Sequence, residues 1–321
     1  MHQDRARILL AEIVGDASVI FVTGKGGVGK STVAALISAI ARDAGLRCAR
    51  IDLGEFTNLE VPSESDDEAD PALTPTTESI VPPEVGDTII SIRPEEALVE
   101  YLGSHGFGKL ASRLIATGVV GVVATAIPGL RDLLLLGKIK QIERAGSYDM
   151  LVVDTPSSGH AITFLTSPEG LKEIAKVGPL RAQAEDVLEL LNDPSRAACV
   201  VVTTPEETPI QETLETIARL HARSGATVAS IICNQMLDAR PEIDLSTVAD
   251  PSLVAAYQYR MARQLVQEDA LGNLLAAWEG PVMSLPMQTT TQRTDVLVAS
   301  LRDALAKDEL ASHLARQRIV G

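Results

Sequence analysis

The run Gly24-Lys25-Gly26-Gly27-Val28-Gly29-Lys30-Ser31 constrains this chain more than any other feature, because it fits G-x-x-x-x-G-K-[ST] in the context where that pattern carries chemistry. It follows the apolar run Val19–Thr23 and opens the helical run Thr32–Ala44. A strand, a glycine turn and a helix N-terminus in that order aim backbone N–H groups into one concavity and add the positive end of the helix dipole. Such a cradle suits phosphate. Gly26, Gly27, Val28, Gly29 and Thr32 are its candidate lining, Lys30 is placed to reach the β- and γ-phosphates, and Ser31 to ligate Mg²⁺. The implied cofactors are ATP and Mg²⁺.

The rest of the chain has the rhythm that this turn requires. Short β-branched runs at Val19–Thr23, Cys48–Leu53, Thr88–Ile92, Met150–Asp154, Ala198–Thr203, Thr227–Asn234 and Val282–Leu285 alternate with long helical patterns. Several of these runs are almost wholly apolar, as strands buried on both faces must be. The expected fold is therefore α/β: a P-loop NTPase with a mostly parallel sheet covered by helices, spanning residues 1–321 as one domain.

Two stretches break the rhythm. Residues 55–92 hold ten Asp or Glu, no Lys or Arg, and five prolines, so two-thirds of the formal charge of −15 lies in one segment. That composition predicts a mobile acidic loop. Residues 94–146 and 160–195 flank the Met150–Asp154 strand and are too long for ordinary connections, so they are expected to build a helical subdomain inserted around that strand's exit.

Charge and composition exclude other classes. With 28 Lys+Arg scattered among 43 Asp+Glu and only 3% aromatic residues, a nucleic-acid surface has neither its cations nor its stacking rings. The cysteines, Cys48, Cys199 and Cys233, form no C-x-x-C pair, which fits a reducing, cytoplasmic setting. The longest uncharged run, Leu114–Leu130, is seventeen residues broken by Gly118, Gly121, Pro128 and Gly129. A bilayer span needs roughly 20. At most peripheral membrane contact is expected.

Two carboxylates close strand runs, Asp52 after Cys48–Ile51 and Asp154 after Met150–Val153. Ligands of parallel sheets gather at such carboxyl ends, so both are candidates to face the phosphates, Asp154 as a metal-positioning group. Lys25 adds a second cation inside the loop and suggests a further phosphate contact, as an arginine finger makes across a subunit boundary.

Together these residues resemble the arsenite pump and tail-anchored targeting ATPases, the ArsA/Get group of the deviant Walker A class that also contains the MinD and ParA ATPases. The loop GKGGVGKST carries the class lysine at Lys25. Asp154-Thr155-Pro156-Ser157-Ser158-Gly159-His160 is similar to the group's D-T-A-P-T-G-H switch at Asp154, Thr155, Gly159 and His160. Pro128-Gly129-Leu130-Arg131-Asp132 looks like the P-G-x-x-E segment that precedes it, Asn234 occupies the position of the adenine-reading asparagine, and Leu285-Pro286-Met287 resembles the final segment lining the base.

The resemblance implies an ATPase that works as a homodimer, or as a heterodimer with a related ATPase, and couples ATP binding and hydrolysis to a cargo. Lys25 and Asp52 are then the catalytic candidates. The group's first switch reads D-P-A-H, whereas this chain has Asp52-Leu53-Gly54-Glu55, which implies slow turnover. Arsenite needs convergent thiolates, and no cysteine falls within 94–195. The stretch Phe107–Leu136, rich in Leu, Val, Ile and Gly, instead suits an apolar groove for a membrane-protein helix or a lipid. The alternatives are a MinD/ParA-like positioning ATPase and a non-hydrolysing regulatory subunit of a related ATPase.

Overall fold

A computed structural model of the chain describes residues 2–53, 88–104, 106–109, 112–113, 128–156, 158–237, 243–288 and 298. Seven strands, β1 (Val19–Gly24), β2 (Cys48–Asp52), β3 (Thr88–Ser91), β4 (Met150–Asp154), β5 (Ala197–Thr203), β6 (Val228–Met236) and β7 (Val282–Pro286), form one sheet in the order β3-β2-β4-β1-β5-β6-β7. Every neighbouring pair is parallel. Each expected strand is present to within two residues of its sequence bounds. The helices are α1 (His2–Val14), α2 (Lys30–Asp43), α3 (Pro94–Ser104), α4 (Leu130–Ala145), α5 (Ser158–Ile174), α6 (Pro179–Leu191), α7 (Glu207–Arg223) and α8 (Pro251–Ala277).

β1 lies between β4 and β5, with Val19 opposite both Leu151 and Ala197. Its side chains alternate between two cores, as the two-residue period of a strand dictates. Val19 and Phe21 join one face, where Leu133, Leu136, Phe164, Val187, Ile217 and Leu274 bring in α4, α5, α6, α7 and α8. Ile20 and Val22 join the other, with Leu10, Ile13, Val33, Ile37 and Ile40 of α1 and α2. Because both faces are covered, β1 and β5 are buried along their whole length, which explains their almost wholly apolar sequence.

The helix α1 adds an element to those expected. Leu10, Ile13 and Val14 share one face at helical spacing and are buried, while Gln3 Nε2 and Arg7 Nε donate to the Ala44 carbonyl just beyond α2 at 3.1 and 3.0 Å. The side chains thereby satisfy a helix-end carbonyl that lacks an intrahelical partner. Ser230 Oγ donates to the Ile13 carbonyl at 2.6 Å and fixes the other end of α1 against β6.

The described parts of the two long excursions are helical. Ala97 and Leu98 of α3 pack on Leu130 and Leu134 of α4, while α4, α5 and α6 place further side chains in the core under the sheet. Between α4 and α6, the buried ammonium of Lys140 donates to the Asp186 carbonyl and lies 3.3 and 3.5 Å from the carboxylates of Asp186 and Glu189. Residues 54–87, which contain most of the acidic Pro-rich segment, lie outside the described residues, as do residues 110–111 and 114–127 of the apolar stretch. Among the described residues no helix is long and apolar enough to cross a membrane.

Phe164 of α5 is fully buried and meets Phe21 of β1 edge to face, ring centroids 6.4 Å apart. This contact ties the helix that follows Asp154 to the central strand. Phe164→Ala should cost about 3–5 kcal/mol of folding stability, read as a lowered midpoint in urea unfolding.

Candidate active site

Parallel strands end on the same edge of the sheet, so Gly24, Asp52, Asp154, Asn234 and Pro286 converge there without any further device. The glycine turn stands at the centre of that edge. Gly24 has φ +146°, and a Cβ there would run into the Val202 carbonyl of β5. At Gly29, with φ +97°, a Cβ would collide with the Asn234 amide. The left-handed backbone and the close approach both demand glycine. Between them Gly26 and Gly27 are exposed, and Val28 turns inward to anchor the loop in the α1–α2 core.

Gly29 is also the N-cap of α2 and supplies no side chain to cap its first turn. The N–H groups of that turn and the dipole of the fourteen-residue helix are thus directed at the mouth of the loop, where an anion is stabilised. Lys30 Nζ donates to the Lys25 carbonyl at 3.2 Å, folding the loop around its own lysine. Burial pushes the Lys30 ammonium below its usual range, and the charge of Asp154 acts in the opposite direction.

Asp154 is partly buried beside this lysine. Burial raises its carboxyl above the ordinary range; the Ser31 hydroxyl hydrogen bond and the charges of Lys30 and Arg50 oppose that shift, whereas the charge of Asp52 adds to it. Asp52 is directly across the β2–β4 ladder from Asp154 and is exposed. The residues therefore fit a hard divalent cation: Ser31 and Asp154 bring a hydroxyl and a carboxylate oxygen together, as Mg²⁺ requires. The next residue, Thr155, is buried and its hydroxyl donates to the Val22 carbonyl at 2.9 Å, so the exit from β4 is held to β1.

On the other side of β1, Asn234 Nδ2 donates to the Val28 carbonyl at 2.9 Å, which braces the glycine loop from β6. Pro286 is in register with Met236, and the Met287 amide donates to the Met236 carbonyl at 2.7 Å. Met287 is half exposed at the edge of this end. Asn234, Pro286 and Met287 thus come together away from Asp52 and Asp154.

Gln267, Arg50 and Glu212 were not legible as site residues. Gln235 has φ +64°, a left-handed conformation unusual outside glycine. Gln267 of α8 holds it: Nε2 donates to the Gln235 carbonyl at 3.2 Å and Oε1 accepts from the Leu237 amide at 2.8 Å. The available signal was a buried polar residue in helical phase with the buried Ala270, Leu271 and Leu274. Arg50 enters through its charge beside Asp154, and Glu212 of α7 through an ion pair to Lys25 at 2.7 Å. No motif contains either.

The P-G-L-R-D segment packs on α5. Gly129, with φ +79°, faces Ser167 and Leu171 of α5 so closely that a Cβ would lie 3.1 Å from Ser167 Cβ. Asp132 in the first turn of α4 is pushed up to about 6 by burial, with the charges of Arg131 and His160 opposing the shift. The three cysteines are buried in β2, β5 and β6, and burial pushes the Cys199 and Cys233 thiols up to about 12. Those two thiols are poor sources of the thiolates that a soft metal selects.

A glycine loop at a helix N-terminus, two strand-end carboxylates and a sheet centred on β1 define a P-loop nucleotide-binding protein. The model of the CobQ/CobB/MinD/ParA nucleotide binding domain matches residues 19–241. The chain is 36% identical over 243 residues to ATPase BagA of Mycobacterium tuberculosis, covering 71% of this chain and 68% of that protein. It is 26% identical over 268 residues to a protein of Chlorobaculum tepidum provisionally named arsenical pump-driving ATPase, covering 69% and 62% of the two. With the ATPase ASNA1 homolog of Entamoeba histolytica it shares 23% identity over 331 residues, covering 92% and 94%. The chain belongs to the CobQ/CobB/MinD/ParA nucleotide-binding family and is an ATPase of the ArsA/Get type.

Asp132 gives this region a pH signature. Its carboxyl ionises near 3.8 in the unfolded chain and near about 6 in the folded one, so between these values the folded state retains a proton that the unfolded state has lost. Stability should consequently fall as pH rises through that window, by on the order of 1–3 kcal/mol from this group. Asp132→Asn should flatten that fall in melting temperature measured from pH 4 to pH 6.

Proposed function

We propose that the protein binds Mg-ATP at the glycine loop and hydrolyses it as a nucleotide-dependent dimer that couples the nucleotide state to a hydrophobic cargo. The observation that carries this reading is the convergence of the Gly24–Ser31 turn, the Ser31–Asp154 contact and the Lys30 ammonium at one edge of the sheet. Ser31 and Asp154 would hold Mg²⁺, which when bound neutralises phosphate charge. Lys30 turns from the Lys25 carbonyl to the phosphate oxygens, and the loop N–H groups donate to the remaining phosphate oxygens. Asp52, the exposed carboxylate opposite Asp154, orients the attacking water. Asn234 and the Pro286–Met287 backbone hold the base on the other side of β1.

Lys25 supports the dimer: a second cation in the loop has a task in phosphoryl transfer if it stabilises charge on a nucleotide held by the facing subunit. The close fit of Gly129 on α5 supports coupling to cargo, because α5 follows the Asp154 switch and α4 leads back to the apolar stretch that ends at Leu136. A shift of α5 on loss of the γ-phosphate then moves α4 with it.

Lys30→Ala removes a charge-assisted phosphate contact of about 1.5–3 kcal/mol and should weaken ATP binding roughly tenfold or more in titration calorimetry. Unchanged affinity would overturn the phosphate assignment. Lys25→Ala should slow hydrolysis by about 10³, and mixing it with Asp52→Asn should restore part of the activity through hybrid dimers. Confirmed hybrids without any recovery would exclude action across the interface.

A further inference from the structure

Lys25, although partly exposed, is paired within the chain. Its ammonium lies 2.7 Å from Glu212 Oε1 of α7, 187 residues away in the chain, with each side chain 40% exposed. The carbonyl of the same Lys25 accepts from Lys30 Nζ. Both lysines of the motif are therefore engaged inside the chain, one on a carboxylate and one on loop backbone. Glu212 borders the buried face of α7. Ile210, Thr213, Thr216 and Ile217 bury the adjoining face of α7, and the Thr216 hydroxyl donates to the Glu212 carbonyl at 2.7 Å.

We propose that Glu212 is a positioning residue that tethers Lys25 in a resting state and competes with nucleotide phosphate for its ammonium. The proposal rests on the reading that Lys25 acts on phosphate. A carboxylate and a phosphate oxygen are alternative anionic partners for one flexible cation, so Lys25 must leave Glu212 before it can stabilise a transferring phosphoryl group. Geometry sets the strength of the tether. A half-exposed ion pair shifts an equilibrium by at most about fivefold, enough to bias the resting position and too little to resist a multiply charged phosphate. The loop is thereby kept from committing its second cation until nucleotide, and in the dimer the facing subunit, supplies the stronger field.

The test is a cycle of Glu212→Gln, Lys25→Ala and the double variant, with Glu212→Asp alongside, each assayed for ATP turnover and for melting temperature. Glu212→Gln removes the charge but keeps the shape, and it should raise kcat/KM roughly two- to fivefold with little change in melting temperature. The gain should vanish in the Lys25→Ala background. Glu212→Asp, whose shorter reach the four-carbon lysine stem absorbs, should return to the wild-type rate. Turnover that is unchanged or lower in Glu212→Gln, or a gain that persists without Lys25, overturns the tether and leaves the role of Lys25 standing. Normal turnover in Lys25→Ala alone overturns that role, and the tether with it.

Discussion

The structure depends on the close approach of the Gly24–Ser31 turn to the two strands beside it. Gly24 lies against the Val202 carbonyl and Gly29 against the Asn234 amide, so the turn is wedged between β5 and the end of β6. Neither contact leaves room for a Cβ. The central position of β1 makes this possible, because a parallel strand buried on both faces delivers its carboxyl end, the first turn of α2 and the ends of four further strands to one place. Strand order then divides the work: β2 and β4 bring carboxylates to one side of the turn, β6 and β7 bring amide and backbone groups to the other.

Around the turn, charge is balanced within the chain. Lys30 is partly buried beside Asp154, and each moves the other's titration toward the charged state against the cost of burial. Asp52 and Arg50 modify that balance with opposite signs. Lys30 and Lys25 rest on partners within the chain, a loop carbonyl and the Glu212 carboxylate.

The ArsA/Get assignment covers a protein whose thiols lie within the sheet. Cys48 belongs to the α1–α2 core, Cys199 and Cys233 to the opposite one. Helices α3 to α6 are joined by apolar contacts and by the buried Lys140 of α4, which reaches Asp186 of α6, and Gly129 at the start of α4 packs on α5.

The strands, the turn and both strand-end carboxylates were legible in the sequence because each rests on local chemistry. Apolar runs of strand length must be buried, glycines in a fixed pattern must turn, and a carboxylate closing a parallel strand must lie at its carboxyl edge. Helix α1 was hidden by its exposed, mixed-charge face, although Leu10, Ile13 and Val14 already carried the helical spacing. Glu212 and Arg50 could not be read at all, and Gln267 showed only its phase with the apolar residues of α8: each owes its role to a neighbour far along the chain, Lys25 at 187 residues, Asp154 across a ladder, and Gln235 on another element. Sequence by itself determined the backbone of the site, because the turn and the strand ends are set by residues next to one another. Only the tertiary structure decided which side chains hold the lysines, the left-handed Gln235 and the switch in place, because those contacts exist only once α7, α8 and β2 have packed against the central strands.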